Sequence, residues 1–222
     1  MPGTREIQEI EIIIEDIGGG GGTAPPAGGD GGDGDKDRGR RPEPPSARRY
    51  YTAIALAIVS ILVFFMALAS AFLVRETAND WIPVHLPAVI WVNTIVLMAS
   101  SATMELARKR LARGDAVGFR TLWQVTTALG IFFLAGQLVA WRELIAQGVY
   151  VASNPASSFF YIFTAAHGLH VLGGVCALLY VLLRAFEKTS LSRALAAEVT
   201  SFYWHFMDGL WVFLLALLHL GK

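Results

Sequence analysis

The sequence predicts an all-α polytopic membrane protein, a bundle of five transmembrane helices that follows a disordered cytoplasmic N-terminal tail. Of its 222 residues, 54% are hydrophobic, and 18 basic and 18 acidic residues leave no net charge. Soluble domains of this length are rarely so apolar. The apolar residues also come in five long runs, and about 20 such residues are enough to cross the hydrocarbon core of a bilayer.

Each of the five runs predicts a helix, because none shows the period-two alternation of a membrane-spanning strand. In chain order, the second run carries hydroxyl and amide side chains and the third carries a glutamine midway. The fourth carries histidines, and the fifth carries histidines and acidic groups. The predicted spans lie near Tyr50 to Val74, Pro87 to Ala107, Phe119 to Trp141, Ser157 to Arg184 and Glu198 to Leu220.

The basic residues favour one side of the predicted bundle. Fifteen Lys and Arg residues fall before the first helix, between the second and third, and between the fourth and fifth. The other side holds Arg75, Arg142 and Lys222. Because basic loops stay in the cytoplasm, the N-terminus is predicted to be cytoplasmic and the C-terminus outside. The acidic, glycine-broken first twenty residues do not fit a signal peptide.

Two domains are predicted, a tail at residues 1–49 and a membrane domain at residues 50–222. Residues 18–39 hold half of the chain's 22 glycines together with several aspartates, and prolines follow. Such a segment cannot bury enough apolar surface to become ordered. The Ile-rich motif at residues 7–17 fits a helical face and a strand equally well. It is either a docking peptide for a cytoplasmic surface or part of the disordered tail.

The last two predicted spans carry ionisable groups, which cost about 2.5 to 3.5 kcal/mol at the bilayer centre unless they face a protein interior. On a helix, Glu198, Ser201, His205 and Asp208 share one face. The pattern predicts a buried polar network between the last two helices, or lipid contacts. The residues assigned to it are His167, His170, Glu198, Tyr203, Trp204, His205, Asp208 and Trp211.

Two chemical alternatives to this network remain open. Histidines on two helices could ligate a haem or a metal, and Asp208 with the histidines could relay protons. The aromatic residues around His205 disfavour a haem pocket, so no metal ligand and no catalytic residue is assigned. The single cysteine, Cys176, is interpreted as a packing residue.

Milder polar residues in the second and third spans predict interhelical hydrogen bonds, which are worth under about 1 kcal/mol each on average. They are Asn93, Thr94, Ser100, Ser101, Thr103 and Gln137.

Several of these residues belong to ordered motifs that resemble subunit III of haem-copper oxidases, such as cytochrome c oxidase. Together the motifs cover residues 50–220. They are Leu86-Pro87 followed by Asn93-Thr94 and Ser100-Ser101-Ala102-Thr103, Gly136-Gln137 before Trp141, Phe163-Thr164 leading to His167-Gly168-Leu169-His170-Val171, and Glu198 before Tyr203-Trp204-His205-Phe206 and Asp208, with Trp211.

The resemblance implies a noncatalytic subunit in the plasma membrane of a bacterium. It implies that haem and copper belong to partner subunits I and II and that this chain binds no cofactor. It also implies packing on subunit I, bound phospholipid, sustained proton uptake and a protected active site. Further respiratory complexes are possible partners, and nucleic acid is not. Two alternatives are a subunit III-like partner of a nitric oxide reductase and a haem-bearing membrane anchor.

Two departures from the family pattern are visible in the sequence. Relatives commonly carry a glutamate near the position of Ser60 and another at that of Ala140, and neither carboxylate is present here. The longer family form has seven helices, of which the first pair makes a lipid cleft. We expect this pair to be supplied by subunit I or to be absent.

Overall fold

Five helices account for most of the computed structural model, which describes residues 47–78, 81–82, 84–184 and 190–221. Each helix is long and apolar enough to cross a membrane, and no strand occurs in these ranges. The predicted all-α class and its five spans are confirmed. The helices are α1 (Ala47–Glu76), α2 (Ala88–Ala112), α3 (Ala116–Ala146), α4 (Pro155–Arg184) and α5 (Ser190–Leu220).

The helices extend beyond the apolar runs that predicted them. α1 begins at Ala47, inside the predicted tail, and α5 begins at Ser190, eight residues before the predicted start at Glu198. A helix that continues into the membrane interface keeps its backbone groups paired, so the hydropathy of the core underestimates its length. The rest of the predicted tail, with the Ile-rich motif at residues 7–17, lies outside the described residues.

Short connections with glycine as their second residue join α2 to α3 and α3 to α4. Gly114 and Gly148 have φ values of 77° and 79°, the left-handed conformation that commonly ends a helix. In both connections the next residue donates its backbone N–H five residues back, from Asp115 to Arg110 and from Val149 to Leu144. These tight turns make α2, α3 and α4 antiparallel neighbours.

The helices α2, α3, α4 and α5 form a closed ring. Each packs against the two beside it, and the ring closes through the contact between α5 and α2. α1 lies outside the ring and packs on α4 and α5. Half of the central span of α5 is buried but only 17% of that of α1. α5 is therefore the most enclosed helix, and α1 presents most of its surface to lipid.

Asp115 caps the start of α3. Its carboxylate accepts a hydrogen bond from the backbone N–H of Gly118 at 2.8 Å and one from the Arg110 guanidinium at 3.0 Å. The Gly118 N–H has the larger effect on the Asp115 carboxyl, and the Arg110 guanidinium adds to it. Together they hold the pKa of Asp115 below its ordinary value. The cap is therefore stronger when the carboxylate is ionised.

The pKa of Asp115 sets the direction of a pH effect. Because it is lower in the folded chain, the contribution of Asp115 to stability is full above the ordinary aspartate pKa. It is lost as the pH falls through the folded pKa. Asp115→Ala should lower the unfolding temperature in detergent at neutral pH, and this deficit should shrink in acid. Asp115→Asn, which caps without titrating, is the control; an alanine variant as stable as wild type at neutral pH would contradict the assignment.

Candidate functional site

Two buried tryptophans of α5 donate hydrogen bonds to hydroxyl groups of α2. Trp204 Nε1 donates to Ser100 Oγ and Trp211 Nε1 donates to Thr94 Oγ1, both at 3.0 Å. Each hydroxyl donates its own proton to a carbonyl of α2, from Ser100 to Leu97 and from Thr94 to Ile90. Indole and hydroxyl are thus both satisfied without water, as the interior of a membrane protein requires.

The same arrangement joins α3 to α4. Trp141 Nε1 donates to Thr164 Oγ1 at 3.0 Å, and this hydroxyl donates to the carbonyl of Phe160 within α4. Trp123 Nε1 donates directly to the carbonyl of Leu178 at 2.9 Å. Four indole hydrogen bonds therefore connect helices of the ring, two between α5 and α2 and two between α3 and α4.

Small and amide residues connect α2 to α3, a third side of the ring. Asn93 of α2 donates from Nδ2 to the Phe133 carbonyl of α3, and its side chain fills the space beside Gly136, where a Cβ would overlap it. Thr103 of α2 shares a hydrogen bond of 2.8 Å with Thr126 of α3. Asn93 and Thr103 thus each make a hydrogen bond between α2 and α3.

The Trp204 ring lies at the centre of the ring of helices. A Cβ added to Gly130 of α3 would lie 2.6 Å from its Cη2 atom, and one added to Gly174 of α4 would lie 3.0 Å from Cζ3. The indole N–H meanwhile reaches Ser100 of α2. One side chain of α5 therefore contacts all three other helices of the ring, and two glycines make room for it.

The two histidines of α4 differ in their surroundings. His167 is fully buried, with its ring 5.0 Å from that of Trp211 and 5.8 Å from that of Phe133. Neither of its nitrogens has a hydrogen-bond partner among the described residues. The partly buried His170 places Nδ1 2.7 Å from the carbonyl of Ala166 in its own helix.

The polar residues of α5 contact α1 and α2. His205 Nδ1 lies 2.6 Å from Ser101 Oγ of α2, and Glu198 accepts a hydrogen bond of 2.9 Å from the Tyr51 hydroxyl of α1. Asp208 is buried beside the Ser101 side chain, and neither of its carboxyl oxygens has a hydrogen-bond partner of acceptable distance and angle among the described residues. The one bond from this set to α4 runs from the Tyr203 hydroxyl to the His170 carbonyl at 2.9 Å.

The predicted network is therefore paired differently in the structure. No hydrogen bond between described residues joins the side chains of His167, His170, Glu198, His205 and Asp208 to one another. The prediction matched faces of consecutive helices, whereas the ring brings α2 against the same face of α5. His167 points into the aromatic interior instead. The contribution of these residues to lipid contact stays a prediction.

One further predicted group lacks its expected partner among the described residues, and two groups were not predicted. Gln137 is buried, and both of its amide atoms lack a partner in the described part of the chain, so it makes no interhelical bond there. Trp123 and Tyr51 were not singled out from sequence. A general rule could have identified Trp123, because a buried indole has one N–H donor and this donor needs a hydrogen-bond acceptor.

The described residues contain no group of three or more His, Cys, Asp or Glu side chains placed to hold a metal ion. The side chains that meet between the helices do so through the hydrogen bonds and ring contacts described above.

Comparison with known families identifies similarity along nearly the whole described chain. A family profile described as cytochrome c oxidase subunit III matches residues 48–220. This range begins near the start of α1 and ends with α5, so it contains every interhelical contact described above.

Individual relatives carry the same description. A probable cytochrome c oxidase subunit 3 of Nocardia farcinica is 38% identical over 167 residues, which are 72% of this chain and 82% of the relative. One of Mycobacterium tuberculosis is 38% identical over 127 residues, 57% of this chain and 63% of the relative. Cytochrome c oxidase subunit 3 of Synechocystis is 32% identical over 174 residues, covering 75% and 73%.

The Trp204 hydrogen bond can be tested by removing its acceptor. Ser100→Ala leaves a buried indole N–H unpaired and should lower the free energy of unfolding by about 1 kcal/mol. Unfolding in mixed micelles with increasing dodecyl sulfate measures it. Ser60→Ala is the matched control, because Ser60 is exposed on α1 and bonds only its own helix. Equal stability of the two variants would argue against the assignment.

Proposed function

The chain belongs to the cytochrome c oxidase subunit III family, and on that premise we propose that it is the noncatalytic structural subunit of a proton-pumping terminal oxidase in aerobic respiration. The observation that carries the proposal is the family match across all five helices. Haem and copper then reside in subunits I and II. This chain packs on subunit I and sustains proton uptake and the stability of the active site.

A rigid interior supports a structural role. The four helices of the ring are joined by hydrogen bonds between their own side chains and backbone, so the bundle does not need a cofactor to satisfy its indoles. A membrane subunit of this kind offers its partner a preformed surface, and preformed surfaces lose less conformational entropy on association.

A groove between α1 and α4 supports phospholipid binding. Its volume is about 770 Å³, and small residues of α1 line it together with apolar residues of α4. Arg75 lies at the end of α1 and lines the same groove, where a phosphate would find a cation. The lining residues are Ala67, Ser70, Ala71, Val74, Arg75, Pro155, Ser158, Phe159 and Ile162.

This lipid site would not use the carboxylates that relatives carry. Ser60 is exposed on α1 and donates to the carbonyl of Leu56, and Ala140 is fully buried in α3. The bacterial plasma membrane is the proposed location, with the N-terminus cytoplasmic and the C-terminus outside. The distribution of basic residues and the bacterial relatives support this placement.

Affinity purification from native membranes tests the function. The tagged chain should recover a complex that contains haem and copper, consumes oxygen and oxidises cytochrome c. Deleting the chain should leave the catalytic subunits active but more rapidly inactivated during turnover. Recovery of a nitric oxide reductase, or a haem band in the isolated chain, would replace the proposal with one of the two alternatives.

Filling the groove tests the lipid assignment. Ala71→Phe should occupy the space between α1 and α4, so the complex should retain less phospholipid in native mass spectrometry and inactivate faster during turnover. Ala128→Phe is the control, because Ala128 is an exposed small residue of α3 away from the groove. Unchanged lipid content in Ala71→Phe would count against this site.

A further inference from the structure

Two deeply buried side chains of the ring have no hydrogen-bond partner in the described part of the chain. Gln137 of α3 is 3% exposed and His167 of α4 is 0% exposed. Both amide atoms of Gln137 and both ring nitrogens of His167 lack a partner among the described residues. Buried polar groups in proteins are nearly always paired, with a protein group or with an ordered water, because an unpaired one is costly. The interhelical bonds described above do not account for these two side chains.

The packing around Trp204 gives the register of the four helices. Trp204 bonds Ser100 and lies against Gly130 and Gly174, so these four residues form one layer across the ring. Neighbouring helices of the ring run antiparallel, and seven residues are nearly two helical turns, about 10 Å along the axis. A second layer therefore lies seven residues later on α3 and α5 and seven residues earlier on α2 and α4. We call its members the polar layer: Asn93, Gln137, His167 and Trp211.

Contacts between the described residues support this second layer. The His167 ring lies 5.0 Å from the Trp211 ring, and the Asn93 side chain lies beside Gly136, the residue before Gln137. All four side chains of the polar layer are buried. Gln137 and His167 therefore lie at the same height on neighbouring helices, and both belong to the interior of the ring.

Ring contacts hold the His167 imidazole in its place. It lies nearly parallel to the Trp211 indole, at 32°, and the Phe133 ring meets it edge-on at 5.8 Å. Turning the imidazole towards another polar group would give up both contacts. The Trp211 N–H is already donated to Thr94. The side chains around His167 therefore fix its position without pairing its nitrogens, and the same holds for the amide of Gln137.

Water meets the hydrogen-bonding needs of both groups. A neutral imidazole has one N–H donor and one acceptor nitrogen, and a carboxamide has two N–H donors and an acceptor oxygen. A water molecule donates and accepts, and buried waters typically make about three hydrogen bonds to groups that would otherwise be unpaired. No member of the polar layer is a carboxylate, a lysine or an arginine, so the layer suits a neutral ligand better than an ion.

We propose that the polar layer is an internal water site, in which at least one water molecule bridges the Gln137 carboxamide and the His167 imidazole. This bridge joins α3 to α4 at a height between the two indole bonds of Trp141 and Trp123. The hydrogen bonds of the ring interior then include one link through a bound water. The inference does not rest on the proposed function, because it concerns the interior of this chain alone.

A double-mutant cycle tests whether the two side chains share a partner. Gln137→Met and His167→Phe should each lower the unfolding temperature, because each leaves the other polar group and the water poorly paired. The double variant should be lowered by less than the sum of the two shifts, since it removes both polar groups. Gln124→Met is the matched control, because it makes the same exchange at an exposed position of α3 and should leave the unfolding temperature unchanged. Additive shifts, or single variants as stable as wild type, overturn the proposal.

Electron cryomicroscopy at a resolution that shows ordered water separates a bridging water from a direct bond, and it does not depend on the folding of any variant. The sample is the full wild-type chain, purified from native membranes with its partner subunits. A density peak should lie within about 2.7–3.2 Å of both a His167 nitrogen and an amide atom of Gln137. The same peak should be lost in Gln137→Met. A direct hydrogen bond between the two side chains, or a well-defined polar layer without this peak, overturns the proposal.

Discussion

The structure depends on satisfying the indole N–H groups of its tryptophans inside a medium that contains no water. Each buried indole has one donor, and hydrocarbon cannot accept it. In three places the acceptor is a hydroxyl that donates its own proton to a carbonyl of its helix. Each such bond joins two helices. The hydrogen bonds that satisfy single indoles therefore also fix which helices are neighbours and at what height they meet.

The packing around Trp204 shows how this constraint determines shape as well as polarity. Its N–H requires Ser100 on α2, while its ring requires the absence of side chains at Gly130 and Gly174. A larger residue at either glycine would meet the rigid indole and not a flexible chain end, so the overlap could not be relieved cheaply. The glycines and the serine, which lie on three helices, are therefore requirements of one side chain.

The sequence was sufficient for the five spans, because hydropathy acts over some 20 residues, and for assigning Trp204 and Trp211 to a buried polar network. It did not indicate which residues accept the hydrogen bonds of these two indoles. The partners of these indoles lie 104 and 117 residues away, and nothing local indicates that α2 rather than α4 supplies them. Matching polar faces of consecutive helices predicted bonds to His167, which the closed ring instead directs towards Trp211 and Phe133. The hydrogen-bond partners depend on which helices are neighbours in the ring, and the periodicity of a single helix does not encode this.

The position of α1 explains why one flank of α5 stays open although the ring of four helices is closed. Four helices close on each other, so the fifth can only add to the outside, and α1 packs over α4 and α5 instead of spanning from α5 to α2. Tyr51 fixes one end of α1 to Glu198. This asymmetric placement covers one flank of α5 and leaves the other flank, with His205, bounded by two helices. The side chains that hold the ring together are thus separate from those that face outward, so a change at the outer surface leaves the interior hydrogen bonds in place.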